Sequence, residues 1–406
     1  MINTLDDLDA RGTVVGCRVD INSPVEDGSL LDDSRIRAHV GTLETLLEAD
    51  ARVAVLAHQG RPGGGDSFST LEPHARRLDT LLDAPVGYVD ETHGKSARAA
   101  VDALDDGECV VLENTRFYSE EYMTLEPDVA ASTHLVTRLA PVFDVYVNDA
   151  FAASHRSQPS LVGFPRVLPS YAGLVMEREL EVLDDIATTD NPRTYVLGGA
   201  KVSGSIDAAR DVLARDLADT VLTAGVVGNV FLAAADEDIG KASTDFIYER
   251  GYWDEIERAA LLLDDYGDRI EFPSDVAVDR DGERVELGLD DLPPGDDEPA
   301  MDVGQETLDR YETVLDESRT VILNGPAGVY ERDVFATGTR TLYRAAADVE
   351  TSIVGGGDTA SAMNALGIDG FTHVSTGGGA ALTLLTGDSL VAVDAIADAP
   401  KRSAGD

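Results

Sequence analysis

The chain has 406 residues, 43% of them hydrophobic, which is enough for two or three globular domains at roughly 150 residues each. Its 76 acidic residues against 32 basic ones leave a formal net charge of −44, which sets the surface against nucleic acid and anionic membranes as partners. No run approaches the roughly 18 apolar residues of a membrane span, and residues 1–12 lack the basic flank and apolar centre of a signal peptide, so a cytoplasmic location is expected.

Taken in order, apolar strand-like runs fall at 13–19, 52–57, 109–112, 142–147, 194–197, 220–223, 320–323 and 352–354, with helical periodicity between most of them. That alternation predicts parallel, doubly wound α/β sheets. Cys17 and Cys109 each lie inside such a run, as small core residues would. The stretch 171–185 reads as one amphipathic helix carrying the chain from a first sheet to a second. Residues 279–299 read as an acidic, solvated excursion with a hairpin turn at Asp281-Gly282.

Ligands of open α/β sheets bind beyond the carboxyl ends of the strands, and the residues found there differ between the two halves of the chain. Before residue 170 come Asp20-Ile21-Asn22, His58-Gln59-Gly60-Arg61, Glu113-Asn114-Thr115-Arg116 and Asn148-Asp149-Ala150-Phe151, the last running on to His155-Arg156. These suit a small, highly anionic molecule gripped by guanidinium forks, with His58 and His155 as neutral hydrogen-bond donors among the arginines. Later strands lead into Gly198-Gly199-Ala200-Lys201, Ala224-Gly225, Asn324-Gly325-Pro326 and Gly355–Thr359, which suit the phosphates of a nucleotide. Asp358 reads either as a ligand of Mg²⁺ held with those phosphates or as a helix N-cap. Covalent and zinc chemistry lack their usual motifs.

Together the segments RVDIN (18–22), SRI with Arg35, HQGRP (58–62), LENTRF (112–117), VNDAFAASHRSQPS (147–160), LGGAKVS (197–203), NGPAGVYE (324–331), VGGGDT (354–359) and THVSTGGGAAL (372–382) resemble phosphoglycerate kinase, nine segments in family order over nearly the whole chain. AFAASHRSQPS and GNVF resemble the archaeal branch. With only four lysines, Lys95, Lys201, Lys241 and Lys401, the composition resembles proteins of salt-accumulating halophiles.

The resemblance implies two Rossmann-like doubly wound parallel-sheet domains joined by a hinge helix. Residues 1–170 would form a phosphoglycerate-binding domain completed by a tail at about 388–406, and 171–387 the hinge helix and nucleotide-binding domain. It implies reversible phosphoryl transfer between 1,3-bisphosphoglycerate with MgADP and 3-phosphoglycerate with MgATP, by direct in-line transfer with domain closure, in a protein expected to be a monomer. Asp20, Ile21, Asn22, Arg35, His58, Gln59, Gly60, Arg61, Arg116 and Arg156 would hold phosphoglycerate. Lys201, Asn324, Glu331, Gly355, Gly356, Gly357, Asp358 and Thr359 would hold the nucleotide, with Asp358 on Mg²⁺, Glu331 on the ribose, and Arg35, Lys201 and Gly357 at the transferred group. Three positions depart from the family pattern: Ser205 where many members carry a second lysine, Ala224-Gly225-Val226 where a glycine triplet is usual, and Leu323 in place of tryptophan.

Overall fold

The computed structural model describes residues 2–63, 67–184 and 189–401. The chain divides into two compact units, Met1–Glu181 with Ser389–Asp406, and Val182–Asp388.

In the first unit, strands β1 (Val14–Arg18), β4 (Arg52–Leu56), β5 (Val86–Val89), β6 (Cys109–Leu112), β7 (Val145–Asn148) and β8 (Ser170–Ala172) form one parallel sheet in the order β5-β6-β4-β1-β7-β8. A short hairpin, β2 (Val25–Glu26) with β3 (Ser29–Leu30), stands apart from it. The central strands are apolar on both faces because helices cover both sides. Val15, Cys17, Val53, Val55, Val111, Val145 and Val147 pack into one core layer, while Val14, Ala54, Leu56, Val110, Leu112 and Tyr146 pack into the other. Both cysteines are free and buried. The helix Val391–Ala397 packs Ala392 and Ala395 against Ala150, Ala153, Leu161 and Val162, so residues from the end of the chain complete this unit.

The second unit repeats the plan. Strands β9 (Arg193–Leu197), β10 (Thr220–Thr223), β11 (Ile270–Glu271), β15 (Thr320–Asn324), β16 (Thr351–Gly355) and β17 (His373–Val374) form a parallel sheet in the order β11-β10-β9-β15-β16-β17. Beside it lies an antiparallel sheet of β12 (Asp275–Arg280), β13 (Glu283–Gly288) and β14 (Ala300–Val303). Its hairpin turns at Asp281 and Gly282, with φ of 55° and 87°, the left-handed pair that a tight two-residue turn demands. All five non-glycine residues at positive φ among the described residues are aspartates.

Three expectations need correction. The stretch 171–185 is not helical from its start, because Tyr171 and Ala172 pair in β8 with Val147 and Asn148; the helix is Leu174–Asp184, and position 185 lies outside the described residues. The run 142–147 enters its strand only at Val145, since Asp144 is held by its carboxylate accepting the Val14 N–H at 2.8 Å. The acidic stretch 279–299 is only partly a solvated excursion: Arg284 of β13 turns inward to pair at 2.7 Å with Asp302, which is wholly buried.

The sheet centre of the first unit leaves no spare volume. A Cβ added at Gly16 of β1 would stand 2.5 Å from the ring of buried Phe143. Gly16→Ala is therefore expected to lower unfolding free energy by about 1–3 kcal/mol, the usual cost of overpacking, read from denaturant midpoints at fixed salt.

Candidate active site

The first unit gathers its polar strand ends into one cationic cluster. Arg35, on the helix Ser34–Ala38, donates from Nη1 to Asp20 Oδ2 at 2.9 Å. Asn22 accepts the Gly60 N–H at 2.8 Å, and Arg116 donates to the Gly60 carbonyl at 2.5 Å. Gly60 itself has φ of 62°, and a Cβ there would meet the Ser67 carbonyl at 2.1 Å, so this crossing of loops excludes any side chain. Arg61 is exposed, and Arg156 donates from Nε to His155 Nε2 at 3.1 Å.

Electrostatics place these groups in one neighbourhood. Burial, then repulsion from Arg156, Arg18 and Arg61, pulls Arg116 down to about 10. Burial lowers Arg156 as well, with Arg18, Arg61 and Arg35 adding to the fall and Asp20 opposing it. Burial would neutralise Asp20, yet the permanently charged guanidinium groups of Arg35, paired with it at 2.9 Å, and Arg18 outweigh it and hold the carboxyl well below its ordinary range. A concentration of guanidinium groups answered by one carboxylate is an anion site.

His58 is neutral. Burial and then the adjoining Arg18 push its pKa well below the ordinary value. Arg18 Nη2 stands 2.8 Å from His58 Nδ1, and because a guanidinium can only donate, Nδ1 accepts and the ring proton lies on Nε2. His155 is likewise pushed down to about 4, by burial and then Arg156.

Not every predicted side chain reaches the cluster. Ile21 is buried in the core. Gln59 is buried with its amide committed internally: Oε1 accepts from Ser23 N at 3.0 Å and lies 3.0 Å from His74 Nε2, while Nε2 donates to the Ser67 carbonyl at 2.8 Å. Within Glu113–Arg116 only the arginine faces the cluster. Glu113 receives Leu71 N, Thr70 Oγ1 and Tyr88 Oη, and Asn114 uses its whole amide on Gln59, Ser69 and Arg116.

In the second unit three glycine loops meet backbone to backbone. Gly198 N donates to the Asn324 carbonyl at 2.9 Å and Gly199 N to the Pro326 carbonyl at 2.7 Å. A Cβ at Gly325 would lie 2.3 Å from the Gly198 carbonyl, and one at Gly225 would lie 2.9 Å from Gly199 N. Behind them Gly356, with φ of 95°, caps the helix Gly357–Leu366; a Cβ there would meet Asn324 Oδ1 at 2.7 Å. Thr359 fastens two loops by donating to the Gly355 carbonyl at 2.7 Å and accepting from Gly325 N at 2.8 Å.

These loops border a cavity of about 240 Å³ lined by Gly199, Gly225, Pro326, Tyr330, Glu331 and Asp358, among others. Asp358 is the second residue of its helix, not the N-cap, and its exposed carboxylate pairs with Lys201 Nζ at 2.8 Å. Among the described residues no group of three or more His, Cys, Asp or Glu side chains stands ready for a metal. A lone carboxylate at a glycine-lined helix N-terminus suits Mg²⁺ arriving with nucleotide phosphates, which needs only one or two protein ligands. Ser205 is buried in the first turn of the helix Val202–Ala214, and Lys241 is engaged with Asp245 on its own helix. Leu323 lies in the core.

Sequence reasoning missed several participants. Arg18 carried no sign of turning inward from a central strand, His39 sits mid-helix in the pattern, Asn229 and Tyr330 lie in the segments GNVF and NGPAGVYE without having been singled out as lining residues, and Met301 lines the cavity from an element without a motif.

A guanidinium-rich anion site on one doubly wound unit, and a glycine-lined cavity flanked by a lysine and an aspartate on the other, define a small-molecule kinase. The profile of the phosphoglycerate kinase family matches residues 5–388. The chain is 62% identical over 396 residues to the phosphoglycerate kinase of Halobacterium salinarum, covering 97% of this chain and 99% of that one. It is 61% identical over 398 residues to that of Natronomonas pharaonis, covering 98% and 100%. The crystal structure of phosphoglycerate kinase from Pyrococcus horikoshii superposes with a TM-score of 0.91 at 41% identity, covering 98% of this chain and 99% of that one. The chain belongs to the phosphoglycerate kinase family, in its archaeal form.

The histidines around the anion site give a pH test. His58 is held neutral, and His74, fully buried, is pushed by burial down to about 4. Below about pH 6.5 the unfolded chain binds protons at these positions that the folded chain refuses, so stability falls with pH, each such group adding a slope of about 1.4 kcal/mol per pH unit. For His74 the loss stops near its folded value, where the native ring protonates too. His74→Gln should therefore flatten the dependence of unfolding free energy between about pH 6 and 4.5 by up to one proton's slope, measured by urea unfolding at constant salt.

Proposed function

We propose that this chain transfers a phosphoryl group reversibly between 1,3-bisphosphoglycerate with MgADP and 3-phosphoglycerate with MgATP, in the cytoplasm and as a monomer. The observation that carries the reading is the division of labour between units: Asp20, Arg35, Arg61, Arg116 and Arg156 cluster on the first, while the cavity, Lys201 and Asp358 belong to the second. Residues 1–170 with the C-terminal tail would hold phosphoglycerate, and 171–387 the nucleotide.

In the direction of ATP use, a carboxylate oxygen of 3-phosphoglycerate attacks the γ-phosphorus and the bond to the bridging oxygen of ADP breaks. The acceptor is already ionised near pH 7, so no general base is required, which agrees with His58 being a neutral donor through Nε2. Arg61, Arg116 and Arg156 bind the anionic end of phosphoglycerate, and Asn22 and Gly60 shape the loop against it. Arg35 neutralises the moving phosphoryl group, while Lys201 exchanges Asp358 for one of its oxygens. The N–H groups of Gly355, Gly356 and Gly357 and the helix start hold the nucleotide phosphates, with Asn324 and Thr359 fixing those loops and Glu331 placed for the ribose. Asp358 would hold Mg²⁺ together with the nucleotide, and the ion would supply charge compensation to the phosphates. Direct transfer demands that the units close when both substrates are bound, aligning the reactants and excluding water.

A coupled assay with 3-phosphoglycerate and MgATP tests the assignment, and no turnover at any salt concentration would overturn it. Arg35→Ala should lower kcat about 10²-fold or more with little change in nucleotide KM, as expected for lost transition-state electrostatics. Unchanged kcat with a raised phosphoglycerate KM would make Arg35 a binding residue only.

The charge balance supports function in high salt. At 0.15 M the Debye length of about 8 Å leaves neighbouring carboxylates coupled, whereas at 1 M it is about 3 Å and most repulsion is screened. The melting temperature should rise as KCl goes from about 0.1 to about 3 M, and phosphoglycerate KM should rise with it because salt also screens the arginine cluster. A melting temperature that is flat or falls with salt would refute the halophilic reading and leave the kinase assignment standing.

A further inference from the structure

Neither His39 nor Asp149 has a part in the transfer chemistry, yet both are buried beside the anion site. His39 is the residue between the helix Ser34–Ala38, which carries Arg35, and the helix Val40–Glu48. Its Nδ1 lies 2.6 Å from Asp149 Oδ2, and because a carboxylate only accepts, Nδ1 carries a proton. Its Nε2 lies 3.1 Å from both the N and the O of Asp20, so the ring engages that backbone in either charge state.

The second oxygen of Asp149 has a different task. Oδ1 accepts Val175 N at 2.8 Å and Met176 N at 3.3 Å, capping the helix Leu174–Asp184, which runs past the end of the first unit at Glu181. Close approach is possible because residue 173 is glycine; a Cβ there would stand 2.3 Å from Oδ1. The same first turn is held a second time, by Leu174 N donating to Thr42 Oγ1 at 3.0 Å. One buried carboxylate therefore serves two masters, and a continuous chain of bonds runs from Arg35 through Asp20, His39 and Asp149 to the start of the connecting helix.

We propose that His39 and Asp149 are positioning residues which hold the Asp20 loop in register with the first turn of the helix Leu174–Asp184, so that occupancy of the phosphoglycerate site is felt at the base of that helix. The proposal rests on the functional reading above. Neither side chain touches substrate in it. Asn at position 149 keeps the shape but offers a single oxygen, which can cap the helix or receive the His39 proton and not both.

The test uses the full-length protein at high salt. In the wild type, ¹⁵N NMR of histidine should show His39 protonated at Nδ1, and 3-phosphoglycerate should shift the amide signals of Val175 and Met176. His39→Ala and Asp149→Asn should each raise phosphoglycerate KM by about tenfold, the scale of one lost buried hydrogen bond, leave nucleotide KM within about twofold, and abolish that amide shift. The double variant should be no worse than the more affected single one, the mark of groups acting as a unit. A bare Nδ1 in the wild type, an amide shift that survives His39→Ala, or additive losses falling on both substrates' KM would overturn it. The wild-type measurements stand even where a variant fails to fold. Absence of phosphoglycerate turnover by the wild-type protein would instead indict the functional reading, since the histidine tautomer does not depend on it.

Discussion

A guanidinium buried at the centre of a parallel sheet is the constraint around which the first unit is arranged. Arg18 ends β1, the strand flanked by β4 and β7, and is 2% exposed. Sequestering such a charge costs on the order of several kcal/mol unless its donors are answered. Here Nε meets Ser160 Oγ at 3.1 Å, Nη1 reaches the Val19 carbonyl, and Nη2 takes the lone pair of His58. The His58 tautomer stems from that one placement, which also adds to the effect of burial in keeping the ring neutral and accounts for part of the depression of Asp20. The cation also repels Arg116 and Arg156, so the cluster is strained electrostatically until an anion enters it.

How far this was legible in the sequence depends on where each strand lies. The eight predicted runs are the four inner strands of each sheet, β6, β4, β1 and β7 in one and β10, β9, β15 and β16 in the other. Strands covered on both faces read as unbroken apolar runs. The four strands of these two sheets that were missed, β5, β8, β11 and β17, are their edges, and β11 and β17 are only two residues long and partly polar, Ile270–Glu271 and His373–Val374. Edge strands take their pairing from a neighbour and carry little pattern of their own.

The site divides in a similar way. Arginines and glycines at strand ends were readable because topology places every such end on the same side of a sheet. Motifs could not distinguish a side chain that meets ligand from one that braces the loop beside it. Gln59, Glu113 and Asn114 sit within recognisable segments yet spend their polar atoms on their own backbone surroundings. Arg18 and His39 act through partners distant in sequence, Ser160 and Asp149, which no local spacing reveals.

The glycine loops of the second unit carry a consequence for how this pocket can diverge. Gly198, Gly225 and Gly325 follow three different strands; Gly198 and Gly325 press against each other's loops, and Gly225 against Gly199 and Pro326, so a side chain on any of them displaces a neighbouring backbone. This glycine floor of the cavity is thus closed to stepwise remodelling by substitution. The opposite rim is made of side chains on separate elements, Asn229, Met301, Val329 and Tyr330, each of which can change alone. On the proposed nucleotide reading, retargeting the enzyme to a different nucleoside, in evolution or in the laboratory, would therefore proceed along that rim while the glycine floor stays as it is.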